Sequence, residues 1–77
     1  MIDTRDLPAP VAQVVEAIER LQPDPMLALA QLRLRAAQHY QAVGVLWSLD
    51  TPAHVIEHLA LTIGYLTAIT RFEQGEP

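Results

Sequence analysis

The chain has 77 residues, no cysteine and a net charge of −4. That length holds one domain at most, and so small a domain buries only about 60% of its unfolded surface. Without cysteine, disulfide staples, thiol catalysis and cysteine-ligated zinc are excluded; with no lysine, the chain lacks the basic footprint of a nucleic-acid binder or of a protein that reads an anionic membrane.

Residues 1–9 have neither the basic start nor the apolar run of a signal peptide. With Pro8 and Pro10 two apart, they are expected to form an extended or disordered arm. A first helix is predicted over 10–22. Val11, Val14, Val15, Ile18 and Leu21 recur at steps of three and four and form one apolar stripe.

A second helix is predicted over 25–47. Asp24-Pro25 supplies a capping oxygen followed by a proline that has no N–H to lose. Its main stripe is Leu29, Leu32, Ala36, Tyr40, Val43 and Trp47, with Gln31, Arg35, Gln38 and His39 on the polar side. Gly44 is expected to weaken its last turns by about 1 kcal/mol relative to alanine.

A third helix is predicted over 52–74, started by Thr51-Pro52 and stopped by Gly75. From Leu59 to Ile69 it is apolar nearly all round, so it is expected to be central and buried on more than one side. Ala60, Gly64 and Ala68 are spaced by four and form a small-residue ridge. That ridge fits a close helix crossing, either inside the chain or with a second copy.

The predicted class is therefore all-α: a long helical hairpin plus a short N-terminal helix. Between Arg35 and Arg71 the only formal charges are Asp50 and Glu57. So small a domain has little interior in which to hide such a stretch, which points to an oligomeric helical bundle. The expected interface is Ile56, Leu59, Ala60, Ile63, Gly64, Leu66 and Ala68. The run Leu59 to Ile69 is well short of the roughly 20 residues that span a bilayer, so a cytoplasmic, non-membrane protein is expected.

Candidate chemistry is sparse. His54, Glu57 and His58 spell H-x-x-E-H, the zinc signature of the inverzincin proteases. That family needs a further ligand far downstream and a larger fold, and only 19 residues follow His58, so no protease is expected. His54 and His58 share a helix face and suit Zn, Ni or Cu, with further ligands from His39, Glu16, Glu19 or a second subunit. The competing expectation is that both are solvated. Tyr40, Trp47, Leu61, Tyr65 and Phe72 are candidates for a ligand pocket or for plain core packing.

Residues 51–72, TPAHVIEHLALTIGYLTAITRF, faintly resemble the closing helix of the carboxymuconolactone decarboxylase/AhpD-like proteins. The likeness implies an oligomeric helical domain. The paired cysteines of that family's peroxidase branch are absent, so it implies no active site here. Ser48 has no nucleophile motif around it, and no glycine-rich phosphate loop exists. The sequence thus predicts a non-enzymatic protein that binds itself and an unidentified protein partner: an adaptor, regulator or inhibitor, of the kind phages and mobile elements carry. The alternative is a metal- or small-ligand-binding bundle around His54, Glu57 and His58.

Overall fold

The computed structural model describes residues 2–46 and 52–75. These contain three helices, α1 (Ala9–Leu21), α2 (Pro25–Leu46) and α3 (Pro52–Glu73), and no strand. The helix bounds agree with the sequence to within one residue at each end.

Each boundary has a local cause. The Asp24 carboxylate accepts from the Met26 N–H at 2.9 Å, satisfying an orphan donor at the head of α2. α1 begins without a side-chain cap; the Pro8 carbonyl accepts from the Ala12 N–H at 2.9 Å instead. α1 stops because Gln22 precedes Pro23, which pushes it into extended backbone (φ −116°, ψ 99°). Gly75 closes α3 in the left-handed region, φ 69°, and its N–H donates to the Phe72 carbonyl. α2 continues through Gly44 to Leu46. Trp47 and Thr51 lie outside the described residues.

α2 and α3 pack as an antiparallel hairpin, since Arg33 bonds Glu73 while His39 meets His58. α1 lies across both. The core joins Val11 and Val15 of α1, Leu32 and Ala36 of α2, and Tyr65, Ala68 and Ile69 of α3. Leu21, expected in the α1 stripe, is exposed.

One further expectation changes. The core line of α2 is Ala28, Leu32 and Ala36 with half-buried His39 and Val43, and Tyr40 is 68% exposed. An α2 that is apolar on more than one side leaves the buried face to be chosen by its partners. Ring stacking of His39 on Tyr65 accompanies the choice made here. α3 touches both other helices, in keeping with the expected central position, and its remaining side is open to solvent. Ile56 and Ile63 are more than 60% exposed.

The N-terminal arm is irregular and docked. Ile2 is 5% exposed and belongs to the core, with Leu7 packed against it. The Ile2 N–H donates to Glu19 at 3.2 Å and the Thr4 hydroxyl donates to Glu16 at 2.9 Å. Arg71 closes the arrangement from α3. It donates to the Asp3 carbonyl at 2.8 Å and forks onto both Asp6 carboxylate oxygens at 2.7 Å.

Candidate functional site

Two regions collect the residues singled out by the sequence. The first is the long side of the hairpin. An open groove of about 370 Å³ runs between Arg33, Ala37, Tyr40 and Gln41 of α2 and Thr62, Leu66 and Ile69 of α3. On α3 the exposed residues Ile56, Leu59, Ile63 and Leu66 step by three and four, so they share one side of the helix. On α2 Leu27, Ala30, Leu34 and Ala37 do the same and are also exposed. No charged residue interrupts α3 from Leu59 to Thr70. Its threonines are internally satisfied: Thr62, Thr67 and Thr70 donate to the carbonyls of His58, Ile63 and Leu66 at 2.8–2.9 Å. That back-bonding satisfies the hydroxyl of buried Thr62 and leaves Thr67 and Thr70 to present their methyl groups at the surface. The salt bridge from Arg33 to Glu73, 3.3 Å long, sits at one end of this side.

Of the seven interface candidates, five face outward: Ile56, Leu59, Ala60, Ile63 and Leu66. Gly64 and Ala68 are buried within the chain. A Cβ at position 64 would lie 3.0 Å from Pro8 Cδ and from Val11 Cγ2. Two of the three ridge residues, Gly64 and Ala68, are therefore used inside the molecule, and Gly64 lets the start of α1 approach α3.

The second region is a ring cluster between α2 and α3. His39 Nδ1 and His58 Nδ1 are 3.3 Å apart, with ring centroids 5.5 Å apart and planes tilted by 36°. His39 also stacks on Tyr65 at 5.5 Å and 15°. One nitrogen of the pair donates and the other accepts, so the hydrogen bond requires at least one neutral ring. Burial, then the neighbouring His58, then Arg35 push the His39 pKa below the usual histidine value. Tyr65 is 2% exposed, and burial raises its pKa.

The sequence motif is split by this arrangement. His58 turns toward α2, while His54 and Glu57 are exposed. Among the described residues, no group of three or more histidines, aspartates or glutamates is placed to hold a metal. Glu16 and Glu19 instead hold the arm. The pocket candidates separate as well. Leu61, Tyr65 and Phe72 pack in or against the core, and Tyr40 lines the open groove. The sequence placed His39 on the polar side of α2 and among the possible further metal ligands; its pairing with His58 depends on the hairpin register.

No described helix is long and apolar enough to cross a membrane. Comparison of the chain with protein-family models, with curated proteins and with solved structures returns no match.

Proposed function

We propose that this is a non-catalytic interaction protein, an adaptor, regulator or inhibitor acting in the cytoplasm, that pairs with a second copy of itself through the outer side of α3 and the adjoining groove. One observation carries the reading: an uncharged helix side on which Ile56 is 63%, Ile63 62% and Leu66 50% exposed. Three- and four-residue steps of Ile56, Leu59, Ile63 and Leu66 match the spacing by which one helix packs its side chains into those of another with the same pattern. The chain itself supplies that matching helix. A two-fold axis through the middle of α3 would set apolar on apolar and leave each Arg33–Glu73 pair at a rim. Beyond the pair, the rest of the surface remains for a second protein.

Light scattering after size exclusion, in EDTA, tests the pairing. The expected species is a dimer at micromolar concentration, and Ile63→Glu should yield a folded monomer because that side chain is not used in the core. A monomeric wild type, or an Ile63→Glu protein that stays dimeric, overturns this interface.

A further inference from the structure

We propose that His39 and His58 form a two-histidine clamp for a divalent transition ion, Zn²⁺, Ni²⁺ or Cu²⁺, that ties α2 to α3, with the remaining coordination positions filled by water. The geometry is the starting point. Zinc takes imidazole nitrogens at about 2.0–2.1 Å in tetrahedral array, which sets two such nitrogens about 3.3–3.4 Å apart. The two Nδ1 atoms stand 3.3 Å apart. An ion can therefore replace the shared proton with the helices at their present separation, the rings turning to aim their lone pairs at it.

The proton balance is simple. The ring that donates through Nδ1 moves that proton to Nε2 and becomes a second acceptor; both rings stay neutral. Stacking against Tyr65 confines the His39 ring to small turns, which limits the rotamer freedom that binding must remove. Both histidines are half-buried rather than sealed, so an ion has access from solvent. Imidazole suits these three ions and not Mg²⁺ or Ca²⁺, which want oxygen. The charged and titratable groups around the pair are Tyr65, stacked on His39, Arg35, one turn before His39, and His54 and Glu57 on the turn before His58.

This clamp differs from a site on α3 alone, and one set of variants separates them. Untagged, EDTA-stripped protein is titrated with ZnCl₂ and with CuCl₂ by calorimetry, and its melting midpoint is recorded with and without metal. The expected result is one ion per chain and a raised midpoint, because the ion binds only the folded hairpin. His39→Gln and His58→Gln should each weaken binding at least tenfold, since losing even an outer partner of a ligand costs about 10–100-fold. His54→Ala should leave affinity unchanged. Circular dichroism establishes that each variant is folded. Should His39→Gln prove unfolded, imidazole nitrogen NMR shifts of the wild type on adding Zn²⁺ give the answer instead: Nδ1 of both rings must move. No heat and no midpoint shift at millimolar metal overturns the clamp, as does loss of binding in His54→Ala with retention in His39→Gln.

Discussion

Asp3 and Asp6 both have carboxyls held below the usual carboxylate range, for different reasons. Hydrogen bonds from Arg5 bring Asp3 down to about 2, but Arg5 is only two residues away and 90% exposed at its side chain. Such a local pair persists in the unfolded chain and contributes little to folding. Asp6 is lowered chiefly by the forked hydrogen bond from Arg71, 65 residues away in sequence. That partner exists only when the chain is folded. The unfolded Asp6 carboxyl takes up a proton first as pH falls below its ordinary 3.8. The contribution is thus fully present above about pH 4 and is lost as pH drops through the lower folded value. Acid titration followed by amide exchange of residues 2–7 should therefore show arm release below pH 4 and not at pH 6. Asp6→Asn should remove that acid step. Arg71→Ala should lower the urea midpoint of unfolding modestly, because the Asp6 partner is open to solvent. It should also let trypsin cut after Arg5 faster at neutral pH; an unchanged cleavage rate would count against arm docking through Arg71. Neither role for Arg71 was legible beforehand, because ion pairs across such a sequence distance leave no periodic trace.

At the scale of the helices, two glycines of the same chemical kind are set in opposite surroundings. Gly44 has nothing within 4 Å of where a Cβ would stand, whereas Gly64 meets Pro8 and Val11 at 3.0 Å. Gly44→Ala should gain about 1 kcal/mol of stability from helix propensity alone. Gly64→Ala has the same propensity gain but must displace a proline ring, and overpacking costs about 1–3 kcal/mol. Urea midpoints should therefore rise for the first and fall for the second; a rise for both would mean that the α1–α3 contact yields easily. The helices themselves were readable because their ends rest on short-range chemistry: Asp24 before Pro25, Gln22 before Pro23, Gly75 after the last turn of α3. Their faces were less so. α2 and α3 carry apolar residues on several sides, and pattern alone pointed to Tyr40 for the inner line of α2, where the fold places His39. The inward His39 stacks on Tyr65, a tertiary contact that helix periodicity does not encode.

For the whole molecule, the sequence signalled an excess of apolar surface, and the fold distributes it unevenly. α1 and the arm cover one side of the hairpin, and the other side is left with Leu59, Ile63 and Leu66 on view. What pattern could not reveal was that Gly64 and Ala68 are consumed internally, since small residues serve both kinds of crossing equally well. An association driven by so uncharged a surface should be nearly indifferent to ionic strength. Dimer dissociation constants measured at about 0.05 and 0.5 M NaCl should agree closely, while a steep salt dependence would shift the contact toward the charged arm and α1. The docking of the arm also has a kinetic consequence. Its contacts join Asp3 and Asp6 to Arg71, across 68 and 65 residues, whereas the hairpin joins neighbouring segments. Contacts of such long separation lose chain entropy before they gain anything, so the hairpin should assemble first and the clasp of Ile2, Asp6 and Arg71 should close last. Weakening that clasp, by Asp6→Asn for instance, should then leave the refolding rate nearly unchanged and quicken unfolding.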